Sequence, residues 1–314
     1  MGLFTKKIIT NNVVDLKEFN KHIPLLYKLK TLNIKNEDFN KYYDKAIHKG
    51  YFSYIKEASK PNSALNPWAY IRVKNEIITL KASLYSILPA VQRGVIGYND
   101  CDDGSEEVIL EFCEKFPSFK AIKYPFSVKD FKPANEDEKL YSYYNYVASF
   151  IPKNEWLIKL DVDHIYDAKK LFNSFFLVKN KKDVLSIARV NFVINNNKVY
   201  ITPSDTGDIY RDVVDHWLIY NDNLKWQEYL TQYGRSIEIL RFNDRRIIRS
   251  ILNNYHFYAV KKDRFASELT QWDISLQDFI KNDTKYIGRL IKKDFLDEKL
   301  ILNIYNNLNW RSNE

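Results

Sequence analysis

The chain has 314 residues, 45% of them hydrophobic and 15% aromatic, and a formal net charge of +8. That is apolar material for one large core or two, and no run of 18 apolar residues marks a membrane-spanning helix. Two cysteines, Cys101 and Cys113, are too few for a disulfide framework or a cysteine-based zinc site, and the start, MGLFTKKIITNNVVDLKEF, lacks the apolar stretch of a secretory signal; both features predict a cytosolic, reducing setting.

The excess charge is concentrated at the start. Residues 1–60 carry 12 Lys, no Arg and 6 acids, with Ile8, Ile9, Val13, Val14, Leu16, Phe19, Ile23, Leu25 and Leu26 interleaved. Such a segment suits peripheral contact with an anionic membrane on its cytoplasmic face, or equally a helical cap with solvated lysines. Lysine in place of arginine, and the absence of any recognition signature, argue against nucleic acid as a partner. Residues 1–64 read as a helical basic extension, ending in the loop Lys60–Pro67.

An α/β alternation follows. Trp68–Val73 reads as a strand. Ile77, Leu80, Leu84, Ile87 and Leu88 fall on one face of a helix closed by Pro89. Gly94–Asn99 is a second strand, running into Asp100–Glu107, where Ser105 is a credible N-cap and the acids suit a helix start. That helix ends near Pro117, and Phe119–Tyr124 is a third strand. Residues 137–150 form an amphipathic helix with Leu140, Tyr144 and Val147 in its buried stripe. The short apolar run Trp156–Leu160 then stops at Asp161-Val162-Asp163-His164. Beyond it, Val184–Val193 and Lys198–Ile201 read as strands about the turn Asn195–Asn197, His216–Tyr220 as another, Arg245–Ile251 as a basic apolar segment, and residues 266–314 as helical. The alternation predicts a doubly wound, mostly parallel sheet with helical extensions at both ends and a catalytic domain over 65–265, divisible at 167/168.

Asp161 and Asp163, read as the continuation of a strand, point to the same side, about 7 Å apart, and can hold a divalent cation such as Mg²⁺ or Mn²⁺. The spacing alone decides nothing, because Asp100 and Asp102 share it. Context adds weight. Asn75/Glu76, Asp102/Asp103 and Asp161/Asp163 each sit at the carboxyl end of a predicted strand, where doubly wound sheets bind their ligands.

These clusters taken in order, Ile71–Glu76, Asp102–Ser105 and Asp161–Asp163, resemble a nucleotide-sugar glycosyltransferase of the GT-A fold. From Asn66 to Asp167, through NPWAYIRVKNE, ITLKASLYSILPAVQRGVIGYNDCDDGSEE, KLYSYYNYVASFIP and EWLIKLDVDH, the chain closely resembles bacterial β-1,4-N-acetylgalactosaminyltransferases of lipooligosaccharide synthesis, which build a ganglioside-like outer core. The resemblance implies transfer of N-acetylgalactosamine from UDP-GalNAc, with Mn²⁺ (or Mg²⁺) and inversion, onto a galactose that usually carries sialic acid. It implies that Asp161 faces ribose and metal, that Asp163 ligates the metal, and that Arg72, Asn75, Glu76 and Asp103 line a uridine pocket that Tyr143, Tyr144 and Asn145 could complete. Asp103 also reads as a plain helix-terminal carboxylate, and one of the two tyrosines as core.

An inverting transferase needs a general base for the acceptor hydroxyl. Asp215, beside Trp217, is the first choice, with Asp205 and Asp208 as alternatives; each also reads as a solvated loop acid. His256 is the candidate third metal ligand, whereas His164 is expected to point away from Asp163. Arg245, Arg246 and Arg249 fit either a diphosphate or sialate contact or a solvated basic face. Competing functions are transfer from UDP-Gal, UDP-Glc or UDP-GlcNAc on the same scaffold, a sugar-nucleotidyltransferase, which usually opens on a glycine-rich loop absent from Val73–Glu76, and a non-catalytic glycan-binding protein.

Overall fold

Alternate residues along the central strand β2 (Trp68–Val73) enter different cores: Ala69, Ile71 and Val73 one, Tyr70 the other. This is the period-two pattern of a sheet buried on both faces. A computed structural model describes residues 12–42, 48–204, 207–212, 216–241, 244–260 and 270–310. β2 lies among β1 (Asn12–Val13), β3 (Arg93–Tyr98), β4 (Phe119–Lys123), β5 (Trp156–Leu160), β7 (Asp183–Ser186), β10 (Trp217–Tyr220) and β13 (Arg246–Arg249). Their order is β1-β13-β7-β10-β5-β2-β3-β4, and every neighbouring pair is parallel except the two made by β10. The architecture is therefore the expected mostly parallel α/β sheet.

Helices α3 (Ile77–Ile87), α4 (Ser105–Lys115) and α6 (Ala168–Phe175) contribute to the core on one face. Two short N-terminal helices, α1 (Leu16–His22) and α2 (Leu25–Thr31), add Phe19 and Tyr27 to the same core. On the other face, α5 (Leu140–Ala148) packs with Trp217, Trp226 and Leu240, and a hairpin of β11 (Gln227–Leu230) and β12 (Ser236–Ile239) lies against it. No helix among the described residues is long and apolar enough to cross a membrane.

A second sheet, unforeseen in the sequence, has the order β15-β9-β8-β14-β6. Its strands are β6 (His164–Tyr166), β8 (Asn191–Asn195), β9 (Lys198–Thr202), β14 (Asn254–His256) and β15 (Ile274–Ser275), and α7 (Leu276–Asn282) and α8 (Glu298–Asn306) share its core. The chain leaves the main sheet at Leu160, turns through residues 161–163 and starts the second sheet at His164. The acidic motif is thus the turn between two sheets.

Three local expectations are corrected. Val184–Val193 is not one strand. Ile187–Val190 interrupts it, and its halves, β7 and β8, belong to different sheets. The first expected extension is not wholly helical, because Asn12–Val13 pairs with Ile248–Arg249 at the sheet edge. The cap of α4 is Gly104, with φ of 91°, and Ser105 is the first helical residue; glycine meets no Cβ penalty in that left-handed conformation.

Gly97 sets how closely α5 approaches the sheet. A Cβ there would lie 2.3 Å from Val147 Cγ2. Gly97→Ala is expected to cost about 1–3 kcal/mol, as overpacking does. Denaturant midpoints check this, and Val147→Ala in the same chain should restore most of the loss.

Candidate active site at the carboxyl edge of the sheet

The parallel strands bring the ends of β2, β3, β5, β7 and β13 to one edge, and the antiparallel β10 brings its beginning there. Two of the connecting turns use non-glycine residues in the left-handed region, Asn75 (φ 54°) and Asp100 (φ 45°). Both are residue types that tolerate it. Asn75 Oδ1 accepts from Asp102 N–H at 3.0 Å, which ties the loop after β2 to the loop after β3.

The turn at residues 161–163 splays the two carboxylates. Asp161 Oδ2 lies 2.8 Å from His216 Nε2, and Oδ1 lies 3.6 Å from the ammonium of Lys159. Lys159 belongs to the wholly buried β5 and faces Tyr144 and Trp217. Asp163 Oδ1 lies 2.7 Å from His164 Nδ1, and Oδ2 lies 3.2 Å from His256 Nε2. The two acid–imidazole sets adjoin, since the His164 ring stacks on His256 at 4.1 Å and meets the edge of His216 at 4.5 Å.

Charge states follow from the surroundings. Burial pushes the Asp161 carboxyl up, but Lys159 and His216 outweigh it and hold it well below the usual carboxylate range. Burial acts the same way on Asp163, where His256 and His164 prevail and the group stays well below that range. Burial drives His164 and His256 down to about 4 against the opposing pull of Asp163. Near neutral pH Asp161 and Asp163 are therefore ionised and His164 and His256 neutral, the forms that ligate metals.

A divalent cation fits this donor set. Asp163, His164 and His256 present ligand atoms within 4.8 Å of one another. His164 donates its Nδ1–H to Asp163, so its Nε2 carries a lone pair; that atom is buried without a hydrogen-bond partner among the described residues. At His256 the Asn191 Oδ1, 2.8 Å from Nδ1, orients the ring so that Nε2 faces the Asp163 carboxylate at 3.2 Å. That nitrogen, when deprotonated, and the carboxylate flank a place for a cation.

Other residues singled out in the sequence fall as follows. Arg72 is half-buried over the Tyr144 ring, and its guanidinium donates to the Tyr144 hydroxyl. Tyr143 is core, with its hydroxyl on Val73 O. Asp103 accepts Ile77 N–H and Ser105 N–H, both at 3.0 Å, so it pins the starts of α3 and α4. Glu76 donates its N–H to Ser105 Oγ. The amide of Asn145 makes two 2.9 Å bonds with the backbone of Trp226, which anchor the segment leading into β11. Asp208 is exposed, 3.7 Å from Lys285 Nζ. Asp205 and Asp215 lie outside the described residues.

The structure corrects three expectations here. Asp161 is not among the three gathered donors and pairs with His216 and Lys159 instead, because the strand ends at Leu160 and the chain turns. His164 does not point away from Asp163 but bonds it, for the same reason. Arg245, Arg246 and Arg249 neither await an anion nor form a free basic face, since they pair with Asp222, Asp183 and Asp212. Sequence reasoning missed His216, Lys159 and Asn191. The one available signal was the lysine inside an otherwise apolar strand.

Residues 4–309 match the beta-1,4-N-acetylgalactosaminyltransferase (CgtA) family. The chain belongs to this family. No curated protein sequence matches this transferase. Among solved structures, it is similar to a mannosyltransferase from Pyrobaculum calidifontis, solved with GDP-Man and Mn²⁺, at 12% identity over 43% of this chain, with a TM-score of 0.29; the match spans 38% of the mannosyltransferase. It is also similar to glucosyl-3-phosphoglycerate synthase from Mycobacterium tuberculosis, solved with Mn²⁺, UDP and phosphoglyceric acid, at 10% identity over 65% of this chain and 75% of that one, with a TM-score of 0.38. The inositol-1-phosphate CTP transferase of T. maritima is similar at 12% identity over 50% and 71%, with a TM-score of 0.31.

The buried imidazoles of this transferase predict an acid-sensitive fold. A histidine titrates near 6.5 when unfolded, whereas His164 and His256 titrate near 4 in the fold. Between those values the unfolded chain binds more protons, so stability is full above about pH 6.5 and falls as the pH drops toward 4. Denaturant midpoints from pH 7 to 4.5 measure the slope, and His256→Gln should make it shallower.

Proposed function

We propose that this transferase moves N-acetylgalactosamine from UDP-GalNAc to a sialylated galactose of a lipooligosaccharide outer core, forming a β-1,4 linkage with inversion. The family match over residues 4–309 carries this reading. In it, Asp163, His164 and His256 hold Mn²⁺ or Mg²⁺, and a bound ion there would neutralise diphosphate charge as UDP leaves. Asp161, kept anionic by Lys159 and oriented by His216, faces the ribose and the ion's outer shell. Arg72 and Tyr144 form a cationic aromatic wall at the end of β2, and Asn75 and Glu76 supply the polar rim of the uridine pocket. Asp103 and Asn145 support that pocket by fixing its backbone.

Asp215 takes the acceptor proton in this reading. It directly precedes His216, whose ring touches Asp161, whereas Asp208 has a surface lysine as its neighbour. A carboxylate across the sugar from the departing UDP is what inversion requires. We also read the enzyme as cytoplasmic and peripheral on the inner membrane, supported by the 12 lysines of residues 1–60.

The test is transfer to labelled sialyllactose and lactose with UDP-GalNAc, UDP-GlcNAc, UDP-Gal and UDP-Glc, with Mn²⁺ and with EDTA. Metal-dependent product from UDP-GalNAc on sialyllactose is the expected result. Product from another donor alone would move the substrate assignment to a UDP-hexose or UDP-GlcNAc transferase. Failure to bind any donor would favour a glycan-binding protein.

A further inference from the structure

Helix α2 is bound to the protein by one side only. Tyr27 and Thr31 are buried, with the Tyr27 ring packed on Phe172 and Phe176. Lys169 fixes the helix end by donating to the carbonyl oxygens of Thr31 at 2.6 Å and Ile34 at 2.8 Å. At 100° per residue, Leu25, Leu29 and Leu32 line the opposite side, with Leu26 next to them. All four leucines are exposed, at 66%, 74%, 61% and 69% for Leu25, Leu26, Leu29 and Leu32. Lys28 and Lys30 flank this leucine face on its two sides, and residues 12–35 hold five lysines against two acids, Asp15 and Glu18.

Four leucines held outward by an anchored helix are costly in water, and they make the densest run of exposed apolar side chains among the described residues. A leucine face bordered by lysines matches a surface that is apolar inside and anionic at its rim. We propose that this face of α2 docks on an anionic phospholipid bilayer, with Leu25, Leu26, Leu29 and Leu32 entering the acyl boundary and Lys28 and Lys30 meeting the headgroups. The proposal rests on the reading of the first 60 residues as membrane-facing and names the side chains that enter. Because Lys169 and Phe172 of α6, with Phe176 just beyond it, grip the helix, its orientation also sets how the sheet stands on the membrane.

The experiment is co-sedimentation of the full chain with vesicles of equal parts phosphatidylglycerol and phosphatidylcholine, and with phosphatidylcholine alone. The unaltered chain should bind the anionic vesicles, with part of the binding surviving high salt. The variant Leu25→Gln, Leu26→Gln, Leu29→Gln, Leu32→Gln should bind at least about tenfold more weakly and lose the salt-resistant part. Lys28→Glu with Lys30→Glu should remove the preference for anionic lipid. Unchanged melting and unchanged transfer to a soluble acceptor establish that these variants remain folded. If the unaltered chain binds no vesicle, both this proposal and the membrane reading beneath it fail. If it binds and the leucine variant binds equally well, the membrane reading stands and the leucine face is ruled out. A lipid-free dimer in sedimentation velocity that the leucine variant dissolves would assign the face to a second copy instead.

Discussion

Asp163→Asn is expected to lower transfer by a factor on the order of 10²–10³, the scale seen when a preorganised electrostatic contact at developing charge is removed. The substitution keeps the shape of the side chain. Its amide oxygen can still accept from His164 Nδ1, and its amide group can be turned to pair with His256 Nε2, so both present neighbours stay satisfied. The metal-free fold should therefore melt close to the unaltered protein, because a buried carboxylate has been replaced by a neutral group with the same partners. A ligand that binds only the native state raises its melting temperature. Mn²⁺ should raise it for the unaltered chain and leave it nearly unchanged for the variant. Melting curves with and without Mn²⁺, beside transfer assays, check both parts, and full activity in the variant would remove Asp163 from the site.

The largest effect on stability is expected from Asp183→Ala. Asp183 is fully buried, accepts from Arg246 Nε and Nη2 at 2.9 Å each, and accepts Lys179 N–H and Asn180 N–H at 2.7 and 3.1 Å. Alanine leaves a guanidinium and two backbone donors without that acceptor, and breaking such a pair costs about 3–5 kcal/mol. Arg246 is 35% exposed and can recover some hydration, which places the expected loss near the lower figure. Residues 183 and 246 are aligned at the amino-terminal ends of β7 and β13, across the sheet from the acidic turn. Donor affinity and kcat per folded molecule should therefore be unchanged while the denaturant midpoint falls. A variant with normal stability but impaired turnover would contradict this division.

The first half of the fold was legible because its signals are local. Trp68–Val73 is a strand with the expected limits, and the helix after it ends just before Pro89 as its apolar spacing requires. The strands at Gly94, Phe119 and Trp156 follow in order, each a short apolar run between turn residues. The second half depends on pairings between distant residues. β14 takes β6 and β8 as neighbours, and nothing within three residues of Asn254 announces that. The site divides along the same line. The carboxyl-edge clusters were visible as acids at strand ends. Of the imidazoles only His256 was picked out; His164 was assigned by strand alternation in a segment that turns, and His216 reaches Asp161 only because β10 lies beside β5 in the opposite sense. Asp103 and Asn145 show the converse limit: a polar residue near a site binds the protein's own backbone as readily as a ligand, and only coordinates distinguish the two.

The pairing of Asn12 with Ile248 has a consequence for how the chain is made. Synthesis delivers residue 12 first, yet its partner strand emerges more than two hundred residues later. The sheet edge cannot close until residues 246–249 have left the ribosome, since long-range pairing must await both partners. During that interval α1 and α2 can already settle against α6, where Phe172 receives Tyr27, while the edge strand β1 still waits for its partner. Closure of β1 onto β13 is then a late event: a truncated product lacking residues 246–249 can build β2 to β5 but leaves β1 without its partner.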